Sequence, residues 1–100
     1  MQPVKIGEVN YKGEMVSVYK TKYTDNESLA IIIRSDYEPI ATLSVNIPEH
    51  SHLLGENEFW CKRWSENEYI SQVCLDSGLF EDTCFDVPCG YCFAERWRIK

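Results

Sequence analysis

One hundred residues that are 44% hydrophobic, 13% aromatic and 26% charged suit one ordinary domain spanning residues 1–100, because domains run to about 100–150 residues and disordered chains are less apolar. Ten Lys and Arg against sixteen Asp and Glu give a net charge of −6, which opposes direct nucleic-acid binding, since that binding rests on neutralising phosphates. A core of this size cannot enclose a large cofactor without giving up much of itself, so the expectation is no cofactor and a shallow surface site.

Val4 to Val9 leans towards β structure, and the Asn and Gly of Asn10-Tyr11-Lys12-Gly13 suit a tight turn, so a hairpin opens the chain. Glu14 to Tyr23 is rich in β-formers on both parities and reads as a long second strand. Beyond the polar cluster Thr24 to Ser28, Leu29 to Ser35 is almost continuously apolar, the pattern of a central strand covered on both sides. Ile40 to Ile47 alternates, which predicts a strand with Ala41, Leu43, Val45 and Ile47 inward and Thr42, Ser44 and Asn46 on a wetter face. Pro48 stops it, and the stretch to Glu58 is polar and irregular.

Phe59 to Trp64 predicts a short aromatic strand with Phe59 and Cys61 inward. Ser65-Glu66-Asn67-Glu68 matches a capping box, Tyr69, Ile70, Val73 and Cys74 form one apolar stripe, and Gly78 suits a left-handed terminator, which together predict one helix over residues 66–77. Glu81 to Gly90 reads as loop, and Tyr91 to Ile99 alternates as a closing strand, with Tyr91, Phe93, Trp97 and Ile99 on one parity. The sum is an α+β fold, an antiparallel sheet of four to six strands with one helix packed on it. A strand at the sheet edge would allow pairing with a second copy, so both a monomer and a homodimer fit.

The longest apolar run, Leu29 to Ile33, is far short of the roughly twenty residues a membrane span needs. Met1-Gln2-Pro3-Val4-Lys5 lacks the apolar run of a secretory signal, so the expected setting is the cytoplasm, with no membrane partner. Five cysteines, an odd number, leave at least one unpaired in any disulfide scheme. In a reducing compartment buried thiols are the expectation for most of them.

The strings Tyr23-Thr24-Asp25-Asn26, Leu29-Ala30-Ile31 and Ala41 to Pro48, then Trp64 to Glu68, Ser77-Gly78-Leu79, Asp82-Thr83 and the turn Pro88 to Tyr91, resemble a small domain family of unknown function from bacterial genomes, phages and plasmids. The likeness covers nearly the whole chain. Where such sequences carry Gly after Asp-Thr, this chain has Cys84. The resemblance transfers no active site; it implies a mobile-element setting, in which small acidic proteins often inhibit host defence.

Three chemistries compete for the remaining signals. Cys84, Cys89 and Cys92 with a histidine, His50 or His52, would make a structural zinc module, although Cys-x2-Cys is only half of a common ligand set. Either histidine would serve an enzyme as acid or base near pH 7, beside a concave pocket, but no phosphate loop or nucleophile elbow accompanies them. Charge is the more informative pattern. From Trp64 to Glu95 there are seven acidic residues and no Lys or Arg, so that span carries −7 while the remainder nets +1. Glu66 and Glu68 complement the positive end of the helix, whereas Asp76, Glu81, Asp82 and Asp86 do not. Those six acids, with Trp60 or Trp64 exposed beside them, form the expected contact face for a protein with a basic surface, such as a nucleic-acid-binding defence complex. The expected function is non-enzymatic protein binding.

Overall fold

A computed structural model describes residues 2–100; Met1, the first residue of the stretch read for a leader, lies outside them. Among the described residues are seven strands, β1 (Val4–Tyr11), β2 (Glu14–Lys22), β3 (Leu29–Arg34), β4 (Pro39–Thr42), β5 (Glu58–Cys61), β6 (Phe80–Cys89) and β7 (Cys92–Ile99), and one α-helix, α1 (Glu68–Asp76). The fold is α+β, as the alternation and the single helical stripe predict. Its four-stranded antiparallel sheet runs β1-β2-β3-β4, and a second, three-stranded sheet runs β5-β7-β6.

Local chemistry sets the hairpins. Lys12 and Gly13 both take positive φ, 54° and 83°, the type I′ geometry that matches strand twist across a two-residue turn. The Asn10 side chain accepts from the Gly13 amide at 3.1 Å. At the other end Gly90 alone, at φ 63°, provides the left-handed residue of the Cys89–Cys92 turn, as a type II′ turn requires of its first central position.

The two sheets meet along the segment after β4. Alternation predicts a single strand to Ile47, but the chain leaves β3 after Thr42 and crosses to β5. The Leu43 amide donates to Ile31 of β3, while the Leu43 carbonyl accepts from Lys62 and the Val45 amide donates to Trp60. Crossing between layers buries both parities. Leu43 and Ser44 are both buried, so Ser44 is not on a wet face; its hydroxyl accepts from the Ile31 amide at 3.0 Å and lies 2.9 Å from the Tyr23 hydroxyl. Burial pushes the Tyr23 phenol above its ordinary value, against the opposing pull of the Ser44 hydrogen bond.

Helix α1 closes the opposite side, lying against β1 and β6, the outer strands of the two sheets. Ile70, Ser71 and Cys74 are buried and Val73 is half-buried, while Tyr69 turns outward. The helix is shorter than residues 66–77 because Ser65 sits at φ 61° and opens a 3-10 turn, Ser65–Asn67. No side-chain cap forms there. Instead the buried Asn67 side chain donates to the Thr42 carbonyl at 2.8 Å, tying the helix start to the end of β4. Gly78, at φ 85°, follows the last turn as expected.

Two apolar clusters result. The larger holds Val16, Val18, Ile31, Ile33, Leu43, Phe59, Ile70, Phe80 and Trp97 between the sheets and the helix. The smaller, on the other face of β5-β7-β6, holds Ile47, Trp60, Val87 and Ala94 under Val45, Leu53 and Leu54. Strand β5 is thus covered on both sides, and alternation along it does not expose Trp60.

Candidate functional site

The acidic span folds onto α1, the β6 edge and the adjoining end of β7. There its charges divide. Glu66 pairs with Lys62 and Glu81 with Arg98, the latter at 2.7 Å. In each case the hydrogen bond from the cation holds the carboxyl below the usual range. Glu95 accepts from Arg63 at 3.4 Å and from the Trp97 indole at 3.1 Å. Asp82 accepts from the Cys84 amide at 2.8 Å and pins the irregular part of β6. Among the described residues Asp76 accepts from the neutral Gln72 alone, and Glu68 and Asp86 make no ion pair; all three are exposed.

Cations that flank the span in sequence account for this division. Arg63 lies one residue before Trp64, yet the structure places its guanidinium 5.4 Å from the Trp97 ring centroid, donating to both Glu95 and Gln72. Arg98, opposite Glu81 in register, also pairs with Glu58 at 3.5 Å. A count along the chain misses both arginines because pairing across strands, not sequence distance, sets which charges meet.

Of the two tryptophans, one of which the sequence places at the surface, Trp60 is 1% exposed and lies within the smaller cluster. It is therefore removed from the contact face. Trp64 is half-buried at the edge of the same cluster, with the Lys62 ammonium 6.0 Å from its ring centroid. Other aromatics take the exposed positions. Tyr69 on α1 and Phe85 on β6 are outward, and Tyr91 and Phe93 stand at the tip of the β6–β7 hairpin, Phe93 at 60% exposure and Tyr91 fully exposed. Phe93 shares the parity of the buried Trp97, but the hairpin outruns the core before reaching it.

Residues 81–90 are not a loop; β6 runs to Cys89, with its register to β7 broken between Asp82 and Asp86. Cys84 sits in that break at φ 62°, a conformation glycine adopts at no steric cost. Cys84 is exposed, and Cys89 and Cys92 are half-buried. Among the described residues no three His, Cys, Asp or Glu side chains converge as a metal site would need, so the structure does not bring Cys84, Cys89, Cys92 and a histidine together. His50 stands edge-on to Trp60, ring centroids 6.5 Å apart, and His52 is exposed.

A groove of about 520 Å³ lies between Lys20, Lys22 and Asn26–Leu29 on one wall and Leu54–Glu58 on the other. Ser51 reaches it, but neither histidine lines it. No helix among the described residues is long and apolar enough to cross a membrane. No protein-family model, curated protein or solved structure matches the chain.

Proposed function

We propose that the chain is a non-enzymatic protein-binding module of a phage or other mobile element, whose α1–β6 face engages a basic protein surface in the manner of an anti-CRISPR or other anti-defence inhibitor. One observation carries this reading. After the ion pairs among the described residues have formed, Glu68 and Asp76 on α1 and Asp86 on β6 remain exposed and unneutralised, and Tyr69 on the same helix is outward; Phe85 lies instead over Trp60 on the other side of the sheet. Unpaired carboxylates attract a basic partner over long range, and outward aromatic rings are the side chains best suited to anchor it once docked. The mobile-element setting rests on the resemblance carried by Tyr23 to Tyr91.

The test is a combined E68K, D76K and D86K variant. Glu81 and Asp82 stay untouched because they hold Arg98 and the Cys84 amide. With tagged protein in lysate of a host that carries defence systems, wild-type capture of a basic partner should fall as salt rises, and the triple reversal should weaken it by about tenfold or more. The melting temperature should stay close to that of the wild type. Capture that survives both salt and charge reversal overturns the reading.

A further inference from the structure

The five thiols occupy three different environments. Cys61 and Cys74 are buried in the larger cluster, and burial pushes both thiols up, Cys74 to about 12. They are held protonated and away from reagents. Cys84 is exposed but sits in the register break of β6, with no residue of β7 opposite it. Cys89 and Cys92 differ from all three. They are direct cross-strand partners, the last pair of the β6–β7 ladder, joined by the two-residue turn Gly90-Tyr91.

Directly opposed residues of an antiparallel ladder point to the same face, with Cα atoms about 4.5–5.5 Å apart. That lies inside the roughly 4.4–6.8 Å that a disulfide spans. Cys92 shares the parity of Ala94, and Cys89 packs against the smaller cluster that contains Ala94, so both side chains lean over the same side of the hairpin. Both are half-buried.

We propose that Cys89 and Cys92 are a reversible dithiol–disulfide pair that clamps the tip of this hairpin, with a low-molecular-weight disulfide of the glutathione class as oxidant. One cysteine thiolate attacks a sulfur of the reagent, forming a mixed disulfide and expelling the first reagent thiolate. The second cysteine thiolate attacks the protein sulfur of that mixed disulfide, closing the Cys89–Cys92 bond and expelling the second. Two electrons pass from the protein dithiol to the reagent disulfide, and the two protein protons end on the released thiols. The clamp closes a ring that contains Gly90 and Tyr91, so the redox state sets how freely the exposed Tyr91 moves at the tip. The proposal stands on hairpin register and is independent of the acidic-face reading.

Full-length protein equilibrated in glutathione buffers of rising oxidised fraction, quenched in acid, alkylated and mapped by mass spectrometry tests it. In C84S alkylated in denaturant, where the buried Cys61 and Cys74 also react, free thiols should fall by two, with Cys89 and Cys92 linked and the loss reversed by excess dithiothreitol. The wild type should form the same link. C92S should halt with glutathione attached to Cys89, as the two-step exchange requires. Retention of both the Cys89 and the Cys92 thiol at the most oxidising ratio overturns the proposal. So does a stable glutathione adduct on Cys89 or Cys92 of the wild type, or a disulfide that uses Cys84.

Discussion

Trp60 and Trp97 sit on paired strands and are almost fully buried, yet their indole nitrogens are treated differently. The Trp97 Nε1 donates to Glu95 at 3.1 Å, whereas the Trp60 Nε1 is buried without an acceptor. A buried donor left unpaired costs about 1–3 kcal/mol, so replacing Trp60 by Phe removes a penalty together with some packing. W97F loses packing and strips Glu95 of a donor. Denaturant unfolding should therefore find W97F less stable than W60F by about 1–3 kcal/mol; equal losses would show that the Trp97 hydrogen bond contributes nothing. The inward places of Trp97, Phe59 and Cys61 were legible from parity. That of Trp60 was not, because a strand covered on both faces gives no polar residue to mark the second cover.

At the scale of elements, β1 and the segment after α1 meet at a close approach. A Cβ on Gly7 of β1 would stand 2.6 Å from Cδ2 and 2.8 Å from Cδ1 of Leu79, in the segment leading from α1 into β6. Overpacking of this kind typically costs about 1–3 kcal/mol, less where the neighbouring side chain swings aside. G7A should therefore destabilise the fold, and in the L79A background the same change should cost clearly less, a coupling that a double-mutant cycle on unfolding free energies measures. An unchanged cost would place the strain elsewhere.

The β1–β2 hairpin, the β3 strand and the helical stripe of α1 were readable because turn chemistry and periodicity agree over residues that stay within one element. The stretch from Ile40 to Ile47 misleads because its alternation continues while the chain changes sheets. Strand β6 was hidden by its own bulge: Cys84 at φ 62° breaks the period-two pattern that identifies a strand.

Across the whole molecule, the net charge of −6 is spread less simply than the uninterrupted acidic span implies. Helix α1 and the β6 edge were legible as the acidic side of the molecule. Their neutralisation by Arg63 and Arg98 was not, since it depends on a cross-strand register and on a chain turn that brings Arg63 back over Trp97. The Glu81–Arg98 pair supplies a pH signature. Its hydrogen bond lowers the Glu81 carboxyl on folding, so the stabilisation is complete above the ordinary glutamate value of about 4.3 and is lost as pH falls through the lowered folded value. E81Q should melt slightly below the wild type at neutral pH, and the gap should close towards about pH 3. A gap that persists at low pH would mean that the side chain acts through packing.

The crossing segment Leu43–Val45 also imposes an order on assembly. The β1–β2 and β6–β7 hairpins close over two-residue turns and demand little loop entropy, whereas this crossing must gather Ile31, Leu43 and Trp60 from three separate stretches of the chain. Loop entropy alone therefore predicts that this crossing closes after the two hairpins, an order that pulsed hydrogen exchange would check by later protection of the Leu43 and Val45 amides than of those in β1–β2. Until the crossing is made, the edge of β5 presents unpaired amides and carbonyls beside apolar side chains, so the interval before closure is when aggregation is expected to be greatest.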